Sequence, residues 1–138
     1  MENFDLLMLV EPYTYTQDEQ HTTLTHHQWQ LILPGLLTEA PARPCSIIYV
    51  NTCIPSMTYF ITLFPSCDIT LISFQLPDSP KPLTFVNIYN PLTIFTTIPT
   101  IAEVVELNPT LFSPEAAFIF LGNFNLHHAL WLSGMTPP

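Results

Sequence analysis

Several polar side chains in this sequence stand directly after apolar runs, where a strand would hold them at one end of a sheet. Glu11 follows "DLLMLV", Asn87, Tyr89 and Asn90 fall within "LTFVNIYNP", and Asn123 and Asn125 follow "FIFL" in "FIFLGNFNLHHALW". Burying an amide is costly unless it is hydrogen-bonded, so these asparagines serve either the hydrogen bonds of a turn or a ligand. A carboxylate, a phenol and two amides suit a hard cation and a phosphate oxygen. Mg²⁺ takes oxygen ligands, one or two of them carboxylates, and amide NH₂ groups donate to phosphate oxygens. By residue type alone, Glu11 can equally be a strand-terminal acid, and Tyr89 a packed ring whose hydroxyl is satisfied locally.

Other reactive residues carry less. His127-His128 and His26-His27 are adjacent pairs, and adjacent residues point apart in a strand and do not share a helix face, so neither pair chelates one ion well. Cys45, Cys53 and Cys67 match no zinc spacing and read as small buried apolar residues in a reducing compartment. Ser133 lacks the glycine-framed context of a hydrolase nucleophile. Three scattered glycines allow no phosphate-binding loop or dinucleotide fingerprint. Trp29 and Trp131 read as core or edge packing.

The elements that would position the polar residues are mostly strands. Residues 5–10 read as a buried strand that stops at Glu11-Pro12, because proline cannot donate to a ladder. Residues 13–28, polar and threonine-rich, read as a long loop. Short strands are expected over Trp29–Pro34 and Ser46–Asn51, on β-branched and aromatic content, and residues 57–64 read as another strand or an irregular extended piece. Asp68–Leu76 and Leu83–Pro91 form a hairpin around the turn-rich "PDSPKP". A helix is expected after Pro99, with Ile101, Val104, Val105 and Leu107 near one face and Asn108-Pro109 as its stop. "AAFIFLG" reads as a strand covered on both faces. This order gives an α/β or α+β chain of stacked layers.

The 138 residues suit one domain, and 48% apolar content argues against disorder. No run is long enough to span a membrane, and the acidic "MENFDLLMLVEPY" is unlike a signal peptide. Fifteen prolines disfavour long helices. Eleven acids against two bases, Arg43 and Lys81, leave a net charge of −9, which opposes autonomous binding to a polyanion.

"EPY", "RPCSIIYVN", "CDIT", "LTFVNIYNP" and above all "LGNFNLHHALW" resemble the endonuclease/exonuclease/phosphatase superfamily, closest to the endonuclease domain of non-LTR (LINE-type) retrotransposons. That family reads "QEPY", "NVYNP" and "LGDFNLHHPLW" at the corresponding places. The resemblance runs from Asp5 to Trp131. It implies a single, partial domain over residues 1–138, with two stacked β-sheets flanked by helices in a DNase I-like four-layer sandwich. The implied activity is Mg- or Mn-dependent hydrolysis of phosphodiesters in DNA, in the nucleus, with no membrane and no organic cofactor. Glu11 falls on the metal-binding glutamate, Tyr89 on the tyrosine that contacts the scissile phosphate, and Asn125 on the asparagine that orients the phosphate or the nucleophile. Asn123 falls on an aspartate that positions or activates the attacking water.

The departures from the family pattern point to an impaired enzyme. An amide at position 123 cannot accept a proton, and general-base catalysis contributes roughly 10²–10⁴-fold. Val10 replaces the usual glutamine. The family's opening strand would precede Met1, and its closing Ser-Asp-His segment would follow Pro138, so the chain is expected to be a fragment, marginal in stability and prone to aggregation. Beside this reading stand a non-catalytic folded relic and an unrelated α/β binding module.

Overall fold

The computed structural model describes residues 4–35, 43–91 and 97–124. They form a mixed α/β arrangement, mostly strands, with one α-helix. The strands, in chain order, are β1 (Leu6–Val10), β2 (Thr14–Gln17), β3 (Gln20–Thr23), β4 (Trp29–Ile32), β5 (Ser46–Asn51), β6 (Tyr59–Thr62), β7 (Ile69–Phe74), β8 (Leu83–Tyr89) and β9 (Ala117–Asn123). The helix α1 (Thr97–Leu107) connects β8 to β9. One sheet has the order β1-β5-β4 and another the order β6-β7-β8-β9, and β2 and β3 form a separate hairpin. All pairings are antiparallel except β8 with β9. A parallel neighbour needs a crossover, and α1 supplies it.

The two larger sheets pack face to face. Ile32, Ile48 and Val50 of the smaller sheet meet Ile72 of the larger, with Leu6, Met8, Phe74 and Phe85 around them. On its other face the larger sheet packs Ile69, Leu71, Val86 and Ile88 against Val104 of α1. Burial on both faces explains why β7 and β8 read as near-continuous apolar runs. Among the described residues no helix is long and apolar enough to cross a membrane.

Three expectations need correction. Residues 13–28 are not one long loop, because β2 and β3 pair within them. Their alternating threonines and tyrosines have high β-propensity, and Asp18 and Glu19 turn the chain with φ of 48° and 64°, the left-handed pair a two-residue hairpin turn demands. The helix starts at Thr97, so Pro99 lies within its first turn, where a missing N–H leaves no bond unmade. At its other end, Asn108 Nδ2 donates to the Val104 carbonyl at 2.8 Å. Finally, β9 is not covered on both faces: Phe118, Ile119 and Leu121 are about two-fifths exposed. Among the described residues it is the edge strand of its sheet, so its side chains have strand neighbours on one flank only.

Candidate functional site

Strand register brings one end of each sheet to a common rim. Val10 pairs with Ser46, so Glu11, just past β1, lies beside Cys45, just before β5; its amide donates to the Cys45 carbonyl at 2.8 Å. Ile69 pairs with Ile88, which sets Asp68 next to Tyr89, whose amide donates to the Asp68 carbonyl at 2.9 Å. Tyr89 pairs with Asn123 in the parallel ladder, and the Asn90 amide donates to the Asn123 carbonyl at 2.8 Å. The Cys45 amide reaches across to the Cys67 carbonyl at 2.8 Å and fastens the two sheets at the rim.

The central contact is between side chains. Tyr89 donates its hydroxyl to Glu11 Oε1 at 2.6 Å. This bond to the carboxylate holds the phenol up at about 12 instead of 10, with smaller contributions from desolvation and from the neighbouring acids. Glu11 is exposed and has a φ of 51°, a left-handed conformation uncommon for a residue with a Cβ. Such backbone strain concentrates at functional positions.

Beneath the rim lies a buried polar layer. Asn87 Nδ2 donates to the carbonyls of Leu9 and Ile47, both at 2.9 Å. The Ser46 hydroxyl donates to the Asn87 carbonyl at 2.8 Å, and the Thr70 hydroxyl donates to the Ser46 carbonyl at 2.8 Å. Asn87 is thus a tie between sheets inside β8, not a residue that follows a strand. Asn90 likewise donates its amide to the backbone carbonyl of Phe124. Of the residues singled out by sequence, Glu11, Tyr89 and Asn123 share the rim; Asn125, His127, His128 and Trp131 lie outside the described residues.

The expectation that the cysteines are buried needs correction. Cys53 is exposed and Cys45 and Cys67 are half-buried. The Cys45 thiol donates to the Arg43 carbonyl and the Cys67 thiol to Asp68 Oδ1, both at 3.5 Å, and the interaction between the two sulfurs pushes the Cys45 thiol up and holds Cys67 below the usual thiol range. Cys45 and Asp68 stand just before a strand and Cys67 one residue further out, so the signal that marked Glu11, a residue just after a strand, does not reach them.

If a hard divalent cation binds at this rim, Glu11 is the residue that would hold it. Glu11 offers an exposed carboxylate whose second oxygen is not the one bonded to Tyr89, and Mg²⁺ often needs only one or two protein carboxylates because it keeps several waters. The rim is acidic, so a cation there would make it receptive to a phosphate. Lys81 is not near enough to help: it donates to Ser113 Oγ at 2.7 Å and Glu115 at 3.0 Å, at the end of the larger sheet where β8 begins. Comparison with family models, with curated proteins and with solved structures finds no match to this chain.

Proposed function

We propose that this chain carries the phosphodiester-hydrolysing pocket of a LINE-type retrotransposon endonuclease domain, in impaired form. The proposed frame is the DNase I-like four-layer sandwich, of which two stacked sheets and one flanking helix are described. The observation that carries the reading is the bond from Tyr89 to Glu11, at 2.6 Å, between residues 78 apart. It joins two of the motifs, "EPY" and "NIYNP", that together with "LGNFNLHHALW" carry the family resemblance.

Glu11 would hold Mg²⁺ or Mn²⁺, and the ion would neutralise charge on a bound phosphate. With the carboxylate engaged by the ion, Tyr89 can turn its hydroxyl to a phosphate oxygen. Asn123, beside Tyr89, can orient a water through its amide but cannot take its proton. Asn125 takes the phosphate-orienting role on the resemblance alone. DNA in the nucleus is the proposed substrate, and the scarcity of basic residues makes its binding weak. The chain alone therefore nicks DNA very slowly or not at all.

Loss of the free Mn²⁺ paramagnetic signal, on titration of the whole chain, tests the pocket. The wild type should bind Mn²⁺, inorganic phosphate should tighten that binding, Glu11→Gln should weaken it by about tenfold or more, and Tyr89→Phe should abolish the phosphate effect. Mn²⁺ affinity unchanged in Glu11→Gln would overturn the reading. A plasmid-nicking assay at low salt addresses the impairment, which turnover clearly above a Glu11→Ala control would refute.

A further inference from the structure

Cys45 Sγ, Cys67 Sγ and a carboxylate oxygen of Asp68 lie within 4.8 Å of one another. Their backbones are held: the Cys45 amide bonds the Cys67 carbonyl at 2.8 Å, the Tyr89 amide bonds the Asp68 carbonyl at 2.9 Å, and the Asp68 amide bonds Ser66 Oγ at 3.1 Å. The Cys67 thiol donates to Asp68 Oδ1 at 3.5 Å, through a proton that a bound cation would displace. On a tetrahedral zinc ion, bonds of about 2.3 Å to sulfur and 2.0–2.2 Å to oxygen place those two atoms about 3.5 Å apart. Among the described residues, no lysine, arginine or histidine forms an ion pair with Asp68. Three groups able to carry negative charge thus converge with no protein cation between them.

We infer that Cys45, Cys67 and Asp68 form a binding site for a borderline-soft divalent cation, Zn²⁺ or a metal of similar preference. Two thiolates and one carboxylate select zinc over magnesium, because sulfur ligands are poorly matched to hard ions. Three protein ligands leave a fourth position for water or an incoming ligand, the pattern of an open site. All three residues are partly accessible, so the ion can exchange. The site adjoins the oxygen-donor pocket at Glu11 but uses different ligands and does not rest on the function proposed for that pocket. Zinc here would clamp the start of β5 to the start of β7.

Co²⁺, titrated into the reduced, metal-stripped chain, provides the test. The expected result is a sulfur-to-cobalt charge-transfer band with tetrahedral ligand-field bands, removed by Zn²⁺ and untouched by excess Mg²⁺. Cys45→Ser and Cys67→Ser should each abolish the charge-transfer band or reduce it markedly, and Asp68→Asn should weaken binding by about tenfold or more. Glu11→Gln should leave it intact, which separates this site from the Mn²⁺ pocket. Alkylation mapped by mass spectrometry needs no variant: Zn²⁺ should slow modification of Cys45 and Cys67 by about tenfold while exposed Cys53 reacts at its usual rate. A folded, reduced chain that shows no charge-transfer band would overturn the inference, as would a band that survives both cysteine substitutions or equal alkylation of all three cysteines with zinc.

Discussion

The Tyr89 hydroxyl lies 2.6 Å from Glu11 Oε1, and this bond spans the gap between two sheets at their shared rim. Neither residue is held there by local sequence. Tyr89 is placed by β8 in the interior of the larger sheet, and Glu11 by its own left-handed conformation just past β1, at the edge of the smaller one. The contact also has a measurable signature.

Tyr89 should titrate at about 12 by ultraviolet absorbance, and Glu11→Gln should bring it back towards 10. The shift is upward, so the stabilisation it reflects is present below pH 10 and fades as the pH rises through about 12. A tyrosine spectrum identical in the two proteins would mean the bond does not form in solution.

Asn87→Leu should destabilise the protein by about 2–4 kcal/mol, read from urea unfolding. The substitution strips two buried carbonyls, those of Leu9 and Ile47, of a donor. Asn87→Asp should be at least as costly, since it buries a charge without a partner. A loss under about 0.5 kcal/mol for Asn87→Leu, the scale of a surface change, would show that the sheets are not tied through this amide.

Gly122→Ala should cost roughly 2–3 kcal/mol. Gly122 has a φ of 126°, and a Cβ there would sit 1.9 Å from the Ile88 carbonyl oxygen. The damage should be local first: amide hydrogen exchange at the rim end of β8 and β9 should accelerate before the rest of the sheet. Unchanged exchange at Asn90 would contradict the close approach of the two strands.

Ile119→Lys with Leu121→Lys should lower self-association, measured by sedimentation, and change stability by no more than about 0.5 kcal/mol. Both side chains are about two-fifths exposed on an edge strand, and exposed apolar edges are templates for pairing with other chains. Loss of cooperative unfolding in the double variant would indicate that these residues are packed in solution.

Asn123→Asp should raise Glu11-dependent plasmid nicking by about tenfold or more over the parent chain, because a carboxylate beside Tyr89 can accept a proton from water and an amide cannot. Nicking by Asn123→Asp that persists unchanged in the Glu11→Ala background would place the activity elsewhere.

Strand positions were largely legible in the sequence. Ser46–Asn51 matches β5, and the hairpin read over residues 68–91 appears as β7 and β8, because β-branched density and proline stops act over a few residues. The β2–β3 hairpin escaped notice because its turn uses Asp18 and Glu19 in place of glycine or asparagine, and its strands look polar. The exposure of β9 could not be read from "AAFIFLG": an apolar run carries no information on whether its strand lies inside a sheet or at its edge.

By itself, the sequence determined where most of the apolar strands lie and that Glu11 stands at the end of one, since both depend on neighbours along the chain. Only the tertiary structure decided which ends meet. It made Asn87 a tie between sheets, placed Glu11 under the Tyr89 hydroxyl, and gathered Cys45, Cys67 and Asp68 at one rim. Those outcomes depend on sheet order and register, which arise from packing between segments far apart in the chain and leave no mark in any local pattern.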